Sequence, residues 1–398
     1  MLSEWKTYTV QELIDLGMLE APMDGNHGGI HPKSSDYVDA GIPFVMANDL
    51  VQGQVDYKNC AFITEKQANT LKKGFAKPGD VLLTHKATIG RTALVSDEYE
   101  TIILTPQVTY YRIKNGISNR YLKYYFDSAP FQQLFSNWAG SGSTRAYLGI
   151  TAQRKLPIVL PPFDVQKKIA DCCGVIDDKI VVNNRINDNL QQQAAALFAN
   201  FYGQAETEVG FTEIIQILGG GTPKTGESSY WNGNVPFFTP KDLGLPYTLT
   251  TEKTITEEGL AHCNSRLYPI NTVFVTARGT VGKVGLSGVP MAMNQSCYAL
   301  VGKDTHQLLV YFYTLKAVDR LKHKASGAVF DAITIRDFES EIISKLSDND
   351  AKAFLDIAEP IYQAILSNSI ENLRLAALRD ALLPKLMSGE IDVSGIQL

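Results

Sequence analysis

Between Val165 and Phe201 apolar side chains return every seventh position: Ile169 and Ile176, then Leu190 and Leu197, with Asn183 on the missing beat. A second ladder runs Cys173, Ile180, Asn187, Ala194 and Phe201. Two seams at heptad spacing, without Pro and with charges outside them, predict a long helix that buries one stripe against another helix. At about 1.5 Å per residue the run spans roughly 54 Å. A matching stripe lies near the C-terminus. Phe354, Ile361, Asn368, Leu375 and Leu382 repeat the first ladder, and Ala358, Ile365 and Asn372 repeat the second. Asn368 lies 185 residues after Asn183, and Asn372 the same distance after Asn187. Asn in an apolar seam costs stability but penalises wrong alignments, so the matched layers predict an intramolecular, antiparallel coiled coil. The alternative is two amphipathic helices packed on separate cores.

The segments between the helices are duplicated as well. GGIHPKSSDYVDAGIPFVMANDL (28–50) is echoed by GGTPKTGESSYWNGNVPFFTPKDL (220–243), with Pro32-Lys33 answering Pro223-Lys224 and Asp49-Leu50 answering Asp242-Leu243. KPGDVLLTHKATIGRTALVS (77–96) is echoed by YPINTVFVTARGTVGKVGLSG (268–288), and PQVTYYRI by NQSCYALV. VLLT and VFVT read as buried strands that enter a Gly-containing turn before a second strand. The stretches 117–135 and 305–325 read as amphipathic helices with aromatics on one face. The pattern predicts an α+β protein of two tandem, mixed α/β globular domains separated by two long helices. The boundaries fall at 1–160 for the first domain, 161–205 for the first spacer helix and 206–345 for the second domain. The second spacer helix follows at 346–388, and a tail at 389–398.

Composition narrows the function only a little. The net charge of −5 gives no support to nucleic-acid binding by bulk charge, so any DNA contact must use local basic patches. Five cysteines without CxxC spacing read as reduced thiols, with Cys173 in the coiled-coil core. The N-terminal stretch has neither signal nor transit character and no apolar run reaches membrane-spanning length, which points to a cytoplasmic protein.

Gly219-Gly220-Gly221 lacks the strand and GK context of a nucleotide loop and reads as a turn before Pro223. His27 and His31 sit among Gly and Pro, which excludes a shared helical face and favours a structural loop over a metal site. Glu65 and Glu257 follow Thr64 and Thr256 and read as helix-start residues. No catalytic constellation emerges.

One recurring loop carries chemistry: Thr84-His85-Lys86-Ala87-Thr88-Ile89-Gly90-Arg91 and Thr276-Ala277-Arg278-Gly279-Thr280-Val281-Gly282-Lys283. Cations with hydroxyls suit phosphate contacts, and Arg or Lys also reads guanine edges. The candidate DNA-binding residues are therefore Lys86, Thr88, Arg91, Arg278, Thr280 and Lys283. Lys33, Lys224, Lys241 and the SGSTR segment at 141–145 are weaker candidates. A tight turn with solvated charges is the competing reading.

These pieces resemble type I restriction–modification specificity subunits over essentially the whole length. The resemblance is carried by TPKTGESSYWNGNVPFFTPKDL, by RGTVGKVGL with its following NQSCYAL, by LPPFDVQKKIADCCGVIDDKIVVNNRINDNLQQQAAALF and by ALRDALLPKLMSGEI. It implies two recognition domains, each reading half of a split double-stranded DNA target, with helix length setting the gap between the halves. It implies two modification subunits that bind S-adenosylmethionine and methylate adenine, and restriction subunits that use ATP and Mg. This chain would hold no cofactor and perform no chemistry. The first half departs from the pattern, with HKATIG where the second has RGTVG, so carry-over there is less secure. A recognition subunit of another phage-defence or methylation system and a non-DNA coiled-coil scaffold remain as alternatives.

Overall fold

The computed structural model describes residues 5–140, 146–244, 246–324, 332–393 and 395. The candidate segment at 141–145 lies outside them. The chain divides into two compact units: Met1–Asp178 with Leu375–Leu398, and Lys179–Arg374.

The first unit is built on an antiparallel sheet with strand order Thr88–Leu94, Val81–Lys86, Val108–Tyr111, Met23–Asp24. A second sheet of five short strands is mixed, because Ile102–Leu104 runs parallel to Ile42–Val45 and antiparallel to Phe75–Ala76. Two helices, Asn119–Asp127 and Ala129–Gly140, cover the first sheet and bury Tyr121, Phe126, Phe131 and Phe135 with Val81, Leu83 and Tyr111. The sequence predicts one helix over 117–135, and the structure breaks it at Ser128, whose backbone is extended. The reason is Pro130. In the first turn of a new helix its missing N–H leaves no bond unmade, whereas a continuous helix would lose one there.

The second unit repeats the plan. Its main sheet has the order Ile215–Gly219, Cys297–Gly302, Val273–Thr276, Val284–Ser287, Tyr247–Thr248, and its smaller sheet is Lys253–Ile255, Trp231–Phe238, Ala292–Met293. Both are mixed, since Tyr247 runs parallel to Leu286 and Phe237 parallel to Ala292. Here one uninterrupted helix, Gln307–Lys324, covers the sheet. Thr64 and Thr256 open equivalent short helices, their hydroxyls accepting from Gln67 N–H and Gly259 N–H. Glu65 and Glu257 follow in the first turns, where a carboxylate suits the helix dipole.

The two long helices are Phe163–Gln204 and Asp348–Met387. Within the first unit, Ile169, Cys173, Leu383 and Leu386 join the globular core. Within the second, Ala194, Phe198, Phe354, Ala358, Tyr362 and Ile365 do the same. Of the ladder positions, Ile169, Ile176, Asn183 and Asn187 are buried, as is Ile365, while Leu190, Leu197, Ile361, Asn368, Asn372, Leu375 and Leu382 are half-buried. Tyr362 and Leu383 are more deeply buried than the adjacent ladder residues Ile361 and Leu382, and Leu386 is buried as well. Heptad spacing misses them because they pack on globular cores as well as on the facing helix.

The Asn layers lie in the second unit. Asn183 Nδ2 donates to Glu371 Oε2 and to Asn372 Oδ1, both at 2.8 Å, and Asn368 Nδ2 donates to Asn187 Oδ1 at 2.8 Å. Partner numbers fall from 372 to 368 as position rises from 183 to 187, so the helices run antiparallel. Each Asn thus pairs with the repeat-equivalent of the other, which is why one 185-residue offset relates both layers. Replacing Asn187 and Asn368 together by Leu is expected to raise stability by roughly 1–2 kcal/mol, as an apolar layer replaces a polar one. Denaturant unfolding measures this, and a less stable double variant would show that the amides contribute more than leucines could.

Candidate nucleic-acid interface

In the first unit, Val81–Lys86 and Thr88–Leu94 form a hairpin whose turn is Ala87, at φ 65°. The repeat-equivalent residue in the second unit is Gly279, at φ 82°. Left-handed backbone is free for Gly and strained for Ala, so the same turn is kept at a small cost in the first unit. Gly90 and Gly282 also match, at φ 83° and 75°. The two loops are one backbone device used twice.

Their four hydroxyls divide into two jobs. Thr84 and Thr276 are buried. Thr84 Oγ1 accepts from Arg91 N–H at 2.9 Å, and Thr276 Oγ1 accepts from Lys283 N–H at 3.0 Å. Thr276 also donates to the Thr280 carbonyl. These hydroxyls close the loops from inside and leave Thr88, half-buried, and Thr280, exposed, as the outward ones. Lys86, Arg91, Arg278 and Lys283 are all exposed. The Arg91 guanidinium reaches the Ala47 carbonyl at 3.4 Å, which draws it toward the second sheet.

His85 is not a third cation. It is fully buried and its Nδ1 lies 3.1 Å from the Leu148 carbonyl, which only accepts, so Nδ1 carries the proton. Burial pushes the imidazole pKa down, and the nearby Asp24 carboxylate only partly opposes this. A neutral ring therefore braces the hairpin at pH 7.

A third segment lies along each hairpin. In the first unit Tyr147 bridges Lys86, and Leu148 N–H donates to the His85 carbonyl at 3.0 Å. In the second, Ala332 bridges Arg278, and Ile333 N–H donates to the Ala277 carbonyl at 3.0 Å. The covering helices also differ at matched places. Gln132 Nε2 donates to the Gly90 carbonyl at 2.8 Å, whereas the Lys322 side chain lies where a Cβ on Gly282 would sit. The second loop thereby gathers a third cation beside Arg278 and Lys283. Tyr147 and Lys322 are residues that reading along the chain missed, because each reaches its hairpin from about 40–60 residues away.

Lys33, Lys224 and Lys241 are exposed on other loops. The Lys33 N–H donates to Asp36 Oδ2, and the Lys224 carbonyl accepts from Trp231 Nε1 at 3.1 Å. Among the described residues no hydrogen bond or ion pair joins these three to the hairpins. Burial pushes the thiol pKa of Cys60 up to about 11 and those of Cys173 and Cys297 up to about 12, leaving them protonated at neutral pH. Among the described residues no helix is long and apolar enough to cross a membrane.

Comparison with known proteins bears on this arrangement. The family described as type I restriction modification DNA specificity domain matches residues 3–192 and again 207–372. A type I restriction enzyme specificity subunit of Methanocaldococcus jannaschii, MjaIX, is 23% identical, over 98% of this chain and 94% of that protein. The HindI specificity subunit of Haemophilus influenzae is 22% identical over 88% and 94%. Among solved structures, a type I restriction-modification S subunit from M. genitalium superposes with a TM-score of 0.56 at 12% identity, covering 96% of each chain. At that identity the likeness concerns the fold alone.

Proposed function

The chain belongs to the type I restriction–modification DNA specificity family, and from that premise we propose that each of its two units reads one half of a split duplex target. The observation that carries this reading is the pair of hairpins. They share the Thr staple and both left-handed turn positions, Ala87 with Gly279 and Gly90 with Gly282, yet they present Lys86 and Arg91 in one unit and Arg278, Lys283 and Lys322 in the other. A common scaffold with different cations is what two readers of unlike half-sites require. The recognition domains are assigned to 1–160 and 206–345, with 161–205 and 346–388 as the helices that join them.

Adenine methylation and restriction are assigned to partner subunits: two modification subunits using S-adenosylmethionine, and restriction subunits using ATP and Mg. This chain then acts as the non-catalytic specificity subunit and works in the cytoplasm. Its acidic charge is compatible with DNA binding where partner subunits supply most phosphate contacts.

A genome-wide adenine-methylation map, taken with and without the chain, tests the reading. A split motif that vanishes on deletion is the expected result. An unchanged map in cells with active modification subunits would overturn it. Within the complex, Lys86→Ala is expected to relax or lose one half-site and Arg278→Ala the other, each by about 1–3 kcal/mol of discrimination. Both variants altering the same half-site would refute the division of labour.

A further inference from the structure

The two hairpins serve as internal controls for each other, and one side chain stands out in that comparison. Tyr147 is 50% exposed at the tip of the first hairpin. The fold does not need an aromatic there, since Ala332 makes the equivalent bridge to Arg278 in the second unit. Nor does the ring hang loose. The His85 ring backs it at 5.7 Å, Lys86 Nζ stands 5.9 Å from its centroid, and its hydroxyl end lies over Gly149, within 2.9 Å of where a Cβ would be. The neutral, buried His85 is itself anchored by the Leu148 carbonyl at 3.1 Å. A half-exposed ring held in place from behind loses little conformational freedom when it meets a partner.

On that basis we propose that Tyr147 is a base-reading residue of the first unit, packing on a thymine methyl while Lys86 addresses the adjacent base pair. The inference rests on the reading of the hairpins as DNA-binding loops and adds a sequence requirement to it. The chemistry narrows the target. An intact duplex offers an exposed ring one apolar group at its groove edges, the C5-methyl of thymine in the major groove. Other apolar contact requires unstacking the bases. The half-site read by the first unit should therefore contain an A·T pair beside the pair addressed by Lys86.

The test uses the full chain assembled with its modification subunits and a duplex carrying the motif from the methylation map. Replacing each thymine of the first half-site in turn by uracil removes only the methyl. One replacement is expected to weaken binding by about tenfold in the wild type and to have no effect in Tyr147→Ala. Tyr147→Phe should keep the wild-type sensitivity, because the ring makes the contact. The second half-site, unchanged in every variant, reports that the complex is intact. Equal uracil sensitivity in wild type and Tyr147→Ala overturns the proposal. So does joint loss of both half-sites in Tyr147→Ala, which would mark the ring as structural. A Tyr147→Ala defect with no uracil-sensitive position would replace the methyl contact by a wedge between base steps. Failure of the wild-type complex to select any split motif would instead refute the underlying function.

Discussion

Phe198→Ala is expected to lower the stability of the second unit by about 3–5 kcal/mol, the range for emptying a fully packed aromatic site. Phe198 sits on the first long helix and is 1% exposed. Its ring stacks on Phe312 at 4.8 Å and meets Tyr313 at 5.7 Å and Phe354 at 5.4 Å edge-on, with Tyr202 at 5.4 Å. Phe312 and Tyr313 belong to the helix covering the sheet and Phe354 to the second long helix, while Tyr202 lies one turn further along the helix of Phe198 itself. One side chain thus ties three elements together, and their aromatic rings have no flexible tails with which to close the cavity. Phe198→Leu should recover a large part of the loss. Urea unfolding measures both variants, and a cost below 1 kcal/mol for the alanine would show that the cluster collapses around the hole. Methylation by the Phe198→Ala complex should lose the half-site of the second unit first.

At the repeat-equivalent place the first unit uses charge instead of rings. Asp177 accepts from Tyr124 Oη at 2.6 Å and from Arg379 Nη1 at 2.7 Å, with Lys123 Nζ at 3.5 Å. The position equivalent to Asp177 is Tyr362, which meets the Tyr311 ring at 5.7 Å and the Phe312 ring at 5.7 Å. Asp177→Asn removes the shared anion, but Lys123 keeps Asp127 at 2.9 Å and Arg379 keeps Asp380 at 2.8 Å. The expected loss is therefore about 2–3 kcal/mol, below the upper range for breaking a buried pair. Burial alone would raise the Asp177 carboxyl pKa, yet Lys123, the Tyr124 hydroxyl and Arg379 outweigh it and hold it below the usual value. A folded pKa below the unfolded one stabilises the protein fully above the unfolded carboxylate range, and that stabilisation is lost as pH falls through the folded value. Wild type and Asp177→Asn should consequently differ in thermal stability at pH 7 and converge in acid below about pH 4. A gap that persists unchanged at low pH would mean that the charge is not what Asp177 contributes.

Much of this protein follows from local pattern. Heptad ladders, matched Asn layers, the duplicated strand–turn–strand and the glycines at turn positions are short-range features. Helix and strand periods and the demand for positive φ are set within a few residues, so the sequence alone determined the two long helices, the tandem plan and the strand–turn–strand of each unit. Long-range placement decided the rest. The sequence related Asn183 to Asn368, whereas its hydrogen-bond partner is Asn372, because a repeat offset does not say how two helices face each other. Each loop sequence holds two threonines, and only packing turns Thr84 and Thr276 inward, where their hydroxyls close the loops. Tyr147, Lys322 and the Asp177–Arg379 pair arrive from distant segments, and their neighbours exist only once the sheet, its covering helices and the coil have packed. Periodicity reports which face of an element is buried, while burial partners and the chemistry of a surface are fixed by contacts across the chain that no local window contains.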